Sequence, residues 1–261
     1  MPNPRLFDRS VIRLSAAEAS EDVRGFLQGL VTQDANAQLP LWTGLLSPQG
    51  KALFDFFLWA NDRDVLIDCE VGQAEALARR LSMYRLRRKI AIGVDTGMGV
   101  FWRAPAQAGV LEGKHSAATL TLLPTQEHTD PRHPELGNRW IAPILPEDSD
   151  ASASYRRHRL SLGVTEGIAE LGSDQTLWLE ANTAELNGVS FSKGCYVGQE
   201  NTARMNWRQK VNRRLVVVSL ADANPKRQRV AYPDLGLSVE YRRVEDMAAL
   251  DLPEWQLAAI S

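Results

Sequence analysis

Residues 193–204, with the sequence KGCYVGQENTAR, constrain the fold of this chain more than any other stretch. The first eight of them contain a lysine, a thiol, two glycines, a phenol, a carboxamide and a carboxylate, more reactive chemistry than an ordinary surface turn requires. Gly194 and Gly198 bracket the thiol and the phenol, and glycine permits close backbone approaches that a side chain would block. This run is therefore the first candidate for a functional site.

The residues that follow these glycines favour a helix. Residues 199–207 contain neither proline nor glycine, so a helix is predicted to begin near Tyr196 or Val197. Cys195 would then lie at the helix N-terminus and close to Lys193, and both the helix dipole and the ammonium would favour the thiolate. The pattern indicates a nucleophilic or metal-ligating sulfur. The alternative is a buried cysteine that packs as a small apolar residue.

The composition is that of an ordinary globular protein. The chain has 261 residues, 44% hydrophobic and 24% charged, which suffices for one large domain or two to three small ones. The formal net charge of -2 selects neither nucleic acid nor membrane as a partner. Basic residues nevertheless cluster, which indicates either solvated surfaces or contacts to an anionic ligand or RNA. The clusters are Arg85, Arg87, Arg88 and Lys89; Arg156, Arg157 and Arg159; and Arg204, Arg208, Lys210, Arg213 and Arg214.

The two cysteines, Cys69 and Cys195, are far apart in the sequence. They form neither a disulfide framework nor the spacing of a zinc site, which is typical of a reducing compartment. Residues 1–19 do not resemble a secretory signal, and no segment approaches transmembrane length, so no membrane partner is expected. The sequence therefore predicts a cytoplasmic protein.

Helical and strand patterns are mixed without regular βαβ alternation, which predicts an α+β fold. Phe54, Phe56 and Leu58 alternate with Asp55 and Phe57, so Asp55 either projects into a cavity or faces water. Helices are predicted at about 20–31, 72–84 and 151–162, and strands at 10–14, 44–46, 52–60, 65–69, 90–94, 99–102, 117–123, 139–142 and 214–220, with weaker strand candidates in 230–244.

Residues 127–134 combine two histidines with charged residues in a proline-containing stretch. His128, Asp130 and His133 do not fix a metal geometry, so the stretch is predicted to be an exposed connector and no metal site is predicted. Residues 143–154 are rich in proline, serine and acids and resemble a linker.

Several stretches together resemble the YgfZ-type folate-binding proteins, relatives of the glycine cleavage T-protein that act in iron–sulfur cluster assembly and repair. The resemblance extends from about residue 10 to 220, and its central motif is highly specific. The stretches are 26–34 (FLQGLVTQD), 47–51 (SPQGK) followed by Asp55 and Phe56, 84–89 (YRLRRK), Asp130 to Arg132 with Leu136 and Gly137, 180–182 (EAN) and 193–204.

This resemblance implies a folate-binding, T-protein-like α+β fold with an interwoven ferredoxin-like subdomain and a short C-terminal β-barrel-like domain. The folate-binding region would comprise residues 1–212, with the linker near 143–154, and the C-terminal β domain would comprise 213–261. The C-terminal part lacks the several glycines that usually shape the family's barrel and keeps mainly Gly236, so an incomplete barrel is expected.

The resemblance also implies a site in which tetrahydrofolate, or a derivative, lies in a central cavity. Glu180 and Asn182 fall where relatives contact the pterin, and Lys193 and Cys195 fall on motif positions regarded as functional. A carboxylate can accept paired hydrogen bonds from the amino-pterin edge, and an arginine can bind the glutamate tail. The other residues predicted to contact folate are Arg85, Arg204, Tyr196, Gln199 and Glu200.

Three functions remain open. The leading one is an accessory factor for assembly or repair of iron–sulfur clusters, in which Cys195 attacks a persulfide or contributes one ligand to a transient cluster shared with an assembly protein or client enzyme. The second is a folate-dependent one-carbon transferase with Asp55 or Glu180 handling protons, although the Lys-Gly-Cys run argues against aminomethyl transfer. The third is an RNA-associated factor in tRNA modification that uses the basic clusters.

Overall fold

The computed structural model describes residues 3–105, 126–208 and 211–260. It confirms an α+β fold, in which thirteen strands form three sheets within these residues. The strand predicted at 117–123 lies outside the described residues. None of the helices in the described part of the chain is long and apolar enough to cross a membrane.

The strands are β1 (Pro4–Arg5), β2 (Arg9–Ala16), β3 (Leu41–Leu46), β4 (Ala52–Asn61), β5 (Asp64–Glu70), β6 (Ile90–Val94), β7 (Met98–Arg103), β8 (His128–Thr129), β9 (Asn138–Pro143), β10 (Ser149–Asp150), β11 (Arg213–Ser219), β12 (Gln228–Tyr232) and β13 (Leu237–Arg243). The α-helices are α1 (Val23–Gln28), α2 (Ala74–Arg85), α3 (Ser152–Ser161), α4 (Gly167–Leu171), α5 (Gln199–Arg208) and α6 (Glu254–Ala258). Short 3-10 helices occupy Val71–Gln73, Pro134–Leu136, Trp178–Ala181, Leu220–Asp222 and Val244–Asp246.

The first sheet has the order β3-β4-β5-β2-β6 and is buried on both faces. Successive residues of a strand point to opposite faces. Phe56 and Leu58 of β4 pack in one hydrophobic core, while Phe57 and Trp59 pack in the other. Burial on both sides explains why β4 is an almost continuous apolar run. Asp55 lies on the Phe57 face and is 9% exposed, so it points into the protein interior rather than into water.

The second sheet has the order β10-β1-β7-β9-β8 and joins the chain's N-terminal region to the predicted linker. The parallel pairing of β1 with β10 places Pro4 opposite Ser149. Ser152, the first residue of α3, is buried, and its hydroxyl accepts a hydrogen bond from the Phe7 amide at 2.7 Å. Within the predicted linker at 143–154, the pairing of β10 and the burial of Ala151 and Ser152 attach the chain to the fold, whereas most of the other residues are exposed.

The third sheet has the order β11-β13-β12 and begins at Arg213. Leu215 and Val217 of β11 pack in the larger core, which also contains Trp42 and Trp59 of the first sheet. Val216 and Val218, on the other face of β11, pack with residues of the C-terminal segment in a small separate core. Among the described residues the C-terminal region is thus an open three-stranded sheet.

A buried network of arginines and carboxylates connects the first two sheets with α3 and α4. Asp68 of β5 accepts hydrogen bonds from Arg9 at 2.6 Å and from Arg139 of β9 at 2.5 Å. Arg132 pairs with Asp130 at 2.8 Å. Further pairs join Arg132 to Glu166 at 2.6 Å and Arg159 to Glu170 at 2.7 Å. Each of these side chains is at most 9% exposed.

This network corrects the prediction for residues 127–134. Asp130 is 2% exposed and Arg132 is 1% exposed, so the core of this segment is buried rather than an exposed connector. Burial alone would raise the pKa of Glu166, but Arg159 and Arg132 hold it well below its usual range. The charges compensate one another, which is the condition under which ion pairs are tolerated in an interior.

Two tryptophans fill the space beside the first sheet. The Trp42 and Trp178 rings are fully buried, with centroids 5.2 Å apart. A Cβ added at Gly44 would lie 2.7 Å from the Trp178 ring, and one added at Gly188 would lie 2.7 Å from the Trp42 ring. These two positions therefore require glycine for packing.

Gly44→Ala should destabilise the protein by about 1–3 kcal/mol, because the added methyl overpacks a site where a buried indole ring has no room to move. Chemical denaturation of the wild type and the variant measures the difference. Gly93→Ala is the matched control, since its Cβ would meet nothing within 4 Å. Equal stability of Gly44→Ala and the wild type would contradict the packing described here.

Candidate functional site

The loop of residues 191–198 connects the buried centre of the molecule to α5. It packs on the turn between β3 and β4, where a Cβ at Gly198 would lie 2.6 Å from the Ser47 carbonyl oxygen. Gly198 also has a φ of +83°, a conformation that side chains rarely adopt. The backbone amide of Ser190 donates to the Thr32 carbonyl at 3.0 Å. The loop is thus held in place at both ends.

Lys193 anchors the middle of this loop. Its Nζ donates to the carbonyls of Gln28 and Val31 at 2.6 Å each and to that of Gln33 at 3.2 Å. The three bonds use all three donors of an ammonium. They also cover carbonyls at and beyond the C-terminal end of α1, where a cation is favoured. Burial lowers the pKa of Lys193 to about 8, with Asp34 acting in the opposite direction.

Cys195 has an exposed thiol. The prediction that a helix begins near Tyr196 or Val197 is wrong, because α5 begins at Gln199, four residues after the cysteine. The positive φ of Gly198 is incompatible with an α-helix and delays its start. The dipole effect is confined to the first turn of a helix, and the Lys193 donors are already used. Cys195 is available for chemistry because it is exposed.

Cys69, the second cysteine, has the opposite environment. It lies on β5 and is 1% exposed. Burial raises the pKa of its thiol to about 12, so it is protonated at neutral pH. Among the described residues no group of three or more His, Cys, Asp or Glu side chains is placed to hold a metal ion. Of the two thiols, only Cys195 can reach a partner or a cluster.

Glu180 and Asn182 make internal contacts. The Glu180 carboxylate caps its own 3-10 helix by accepting from the Leu177 amide at 3.0 Å. The fully buried Asn182 donates to the Leu215 carbonyl at 2.9 Å and accepts from Arg214 at 2.9 Å, which attaches β11 to the core. Both polar groups of Asn182 are thereby used within the protein.

Of the remaining predicted folate contacts, Arg85 lies apart and the others lie on the motif loop and α5. Arg85 ends α2 and donates to the Ile90 carbonyl at 3.0 Å. Arg204 pairs with Glu200 on the exposed side of α5 at 3.0 Å. The buried ring of Tyr196 lies 4.9 Å from the Lys193 Nζ. Gln199 is the first residue of α5. The structure thus groups Lys193, Tyr196, Gln199, Glu200 and Arg204 on one loop and helix, whereas Arg85, Glu180 and Asn182 have separate partners elsewhere.

Asp55 is the buried carboxylate that sequence analysis left undecided. It accepts hydrogen bonds from the Trp42 indole at 3.3 Å and from the Gly167 amide at 3.0 Å. Burial, followed by the nearby Glu166, raises the pKa of Asp55 to about 6, with Arg9 acting in the opposite direction. Asp55 therefore changes charge near neutral pH inside the protein.

The interior beside Asp55 does not fit tetrahydrofolate in this structure. The cleft lined by Asp55, Cys69 and Glu70 has a volume of about 10 Å³. That volume holds about one water, whereas ligand pockets measure about 300–1,000 Å³. Trp42 and Trp178 fill the neighbouring space. A larger open groove, of about 640 Å³, is lined by Glu180 and by residues that include Arg213 and Arg243.

Comparisons with known proteins define what this chain is similar to. No protein-family profile matches it. It is 30% identical over 237 residues to the mitochondrial iron–sulfur cluster assembly factor IBA57 homolog of Neurospora crassa, a match that covers 81% of this chain and 52% of that protein. It is 29% identical over 252 residues to human mitochondrial IBA57, covering 85% and 67% of the two chains. The chain thus spans about half to two thirds of the length of these relatives.

A solved structure gives the corresponding result for the fold. The crystal structure of the glycine cleavage system aminomethyltransferase T from Bartonella henselae superposes with a TM-score of 0.62, covering 92% of this chain and 78% of that one at 13% identity. The T-protein-like fold is therefore confirmed. The predicted cytoplasmic location is wrong by comparison, since the names of the relatives point to mitochondria.

The charge of Asp55 gives a testable pH dependence. Its folded pKa of about 6 lies above the ordinary value of 3.8, so the folded state binds the proton more tightly. The stabilisation is full below pH 3.8 and is lost as the pH rises through 6, by about 3 kcal/mol in all. Wild type should therefore lose stability relative to Asp55→Asn between pH 4 and pH 7. Denaturation at both pH values checks this, and a constant difference would contradict it.

Tetrahydrofolate should give no saturable heat signal in a calorimetric titration of the wild type, because buried indoles fill the space beside Asp55. The same titration is made on Glu180→Ala, whose carboxylate borders the open groove. Saturable binding that Glu180→Ala weakens would contradict the expectation and assign folate to that groove.

Proposed function

We propose that this chain, which belongs to the YgfZ-like family together with the IBA57 iron–sulfur cluster assembly factors, supports the assembly or repair of iron–sulfur clusters in client enzymes. Its reactive group is the Cys195 thiol. The observation that carries the proposal is an exposed thiol on a loop that buried contacts hold in a fixed position.

Cys195 would act as one ligand of a cluster held jointly with another protein. Iron–sulfur clusters are held by several cysteine thiolates. The second cysteine of the chain, Cys69, is buried and protonated, so the chain itself supplies a single sulfur ligand. The other ligands must come from an assembly protein or a client enzyme. This requirement makes the function that of an accessory factor, which acts on the cluster only within a complex.

The chemical step is a ligand exchange without electron transfer. The Cys195 thiol loses its proton and its sulfur forms a bond to one iron of the cluster. The bond between that iron and a thiolate of the carrier protein breaks, and the released thiolate takes up a proton. Reversal of the exchange on a client enzyme would deliver the cluster. The fixed loop favours this exchange because the sulfur does not need to be ordered at the moment of transfer.

A folate-dependent one-carbon transferase receives less support. Such an enzyme needs its cofactor and substrate beside a proton-handling carboxylate, and Asp55 is the buried candidate. The indole of Trp42 and the amide of Gly167 already occupy both oxygens of that carboxylate. The thiol function proposed here does not require folate, and the calorimetric titration described above tests the folate binding that the family resemblance implies.

Cys195→Ser should lose the ability to stabilise a shared cluster, because a hydroxyl is a poor replacement for a thiolate ligand of iron. The measurement is rescue of the activity of a [4Fe–4S] enzyme in cells that lack their own relative of this chain. We expect rescue to fall to the level of cells without the protein. The purified variant should keep the thermal stability of the wild type, since Cys195 is exposed.

Cys69→Ala serves as the matched control, because it removes the other thiol from a buried position. It should retain rescue, with at most a modest loss of stability from the small cavity. Full rescue by Cys195→Ser would remove the thiol from the function. Loss of rescue in both variants would point instead to a requirement for stability.

A further inference from the structure

The strand β6 forms one edge of the first sheet, and its outer side is open. In the order β3-β4-β5-β2-β6, it pairs with β2, and in the described part of the chain no strand lies beyond it. Residues 90–94 have the sequence IAIGV, which contains neither a charge nor a proline. Charged residues and proline are means by which natural proteins keep an edge strand from pairing with another chain. Within its own length, β6 has neither of these protections.

The hydrogen bonds at both ends of β6 show which of its backbone groups point outward. The Ala17 amide donates to the Lys89 carbonyl at 2.7 Å, and the Asp95 amide donates to the Val11 carbonyl at 2.8 Å. The register between β2 and β6 is continuous between these two bonds, so the odd-numbered residues of β6 face β2. The amides and carbonyls of the even-numbered residues within 90–94 therefore point away from the sheet.

The outward backbone groups of β6 are available to a further strand. The Ile90 carbonyl accepts one hydrogen bond, from Arg85 at 3.0 Å, and a carbonyl oxygen can accept a second. Among the described residues, the outward groups of Ile92 and Val94 have no partner. The side chains of these two residues pack against the core that β6 shares with α2, but they are only half-buried. A strand beyond β6 would pair the backbone and complete the burial of both side chains.

The residue pattern of β6 selects a second copy of the same chain as that strand. A two-fold axis brings the same surface of both copies together, so such an interface must be complementary to itself. With Ile92 on the axis, antiparallel pairing places Ile90 opposite Val94 and Ala91 opposite Gly93. Each β-branched side chain then meets another, and each small residue meets another small one. The outward backbone groups are symmetric about Ile92 as well, so the donors and acceptors of the two copies coincide.

The charges beside β6 select the antiparallel direction. Residues 87–89 are three exposed basic residues that directly precede the strand. Parallel pairing would place the two basic runs side by side, whereas antiparallel pairing separates them by the length of the strand. It also places Lys89 opposite Asp95 of the other copy. Because the Asp95 carboxylate already binds Arg13 at 2.8 Å, the backbone bonds and the apolar pairs supply most of the attraction.

We propose that this chain forms a two-fold symmetric dimer by antiparallel pairing of β6 with β6 of a second copy, which joins the two five-stranded sheets into one. Addition of a strand to a sheet edge is a recurring mode of protein recognition. Residues that face each other in an antiparallel pair project on the same side of the sheet. The half-buried side chains of both copies would therefore meet on the side that carries α2. This dimer depends neither on the proposed function nor on Cys195.

Sedimentation velocity of the full chain over a range of concentrations measures the dimer. The wild type should sediment as two copies that dissociate on dilution. Ile92→Pro removes an outward amide that no bond within the chain uses, and proline is tolerated at such edge positions. It should raise the dissociation constant of the dimer about tenfold or more. Ile92→Val is the matched control, because it keeps both the amide and the β-branched shape, and it should form the dimer as the wild type does.

Ile92→Lys gives a second test that keeps the amide in place. It sets two ammonium groups opposite each other on the axis, where like charges are destabilising, and should also yield monomers. Circular dichroism checks that every variant is folded. A wild type that is monomeric at every concentration would overturn the inference and leave the edge to a strand of a different protein. A dimer that persists in both the proline and the lysine variant would overturn it too, because the contact would then lie elsewhere.

A disulfide tests the register of the two strands. In a Cys195→Ser background, Ile92→Cys places two cysteines directly opposite each other, with Cα atoms about 5.5 Å apart, which a disulfide can span. Oxidation should link the two copies. Gly93→Cys is the control, since its side chain has room but the two cysteines would be diagonal neighbours about 7–8 Å apart, too far for a disulfide. Linkage through Gly93→Cys and not through Ile92→Cys would contradict the pairing centred on Ile92.

Discussion

The buried network of arginines and carboxylates is the interaction on which the rest of the structure depends. Asp68 of the first sheet binds Arg139 of the second, and Arg132 joins the same region to Glu166 ahead of α4. Breaking one buried pair leaves an uncompensated charge and costs about 3–5 kcal/mol. Because the partners come from distant parts of the chain, the network is satisfied only when both sheets and the helices are in place together. It specifies one arrangement of the layers and leaves little freedom in the interior.

Because side chains fill the interior, the groups that are available for chemistry lie at the surface. Trp42 and Trp178 occupy the space beside the first sheet, and the Asp55 carboxylate is used by hydrogen bonds within the protein. The loop that carries Cys195 lies outside this core but is tied to it through the three carbonyls bound by Lys193. Lys193 thus holds the loop in position rather than acting directly on the Cys195 thiol. A rigid support of this kind keeps the sulfur in place while leaving it open to a partner.

Sequence reasoning predicted the elements whose signals are local. The apolar run of β4, the helix at α3 and the special backbone near Gly198 follow from composition and periodicity within short windows. The contacts of Arg132 could not be predicted in this way. Its flanking prolines and charges look like those of a surface loop, and its partner Glu166 is 34 residues away. Whether a charged residue is buried depends on which distant residues neutralise it. A single sequence does not show which residues those are.

The predictions for the candidate site also divide into local features, which the sequence shows, and distant contacts, which it does not. The motif indicated the loop that carries the exposed thiol. A resemblance transfers positions and not contacts, which is why Asn182 was expected to bind a pterin and here holds β11. The sequence likewise predicts a strand at 90–94 but does not show that this strand is the edge of its sheet. One exposed sulfur cannot complete a cluster, so the cluster function proposed for this chain requires a second protein.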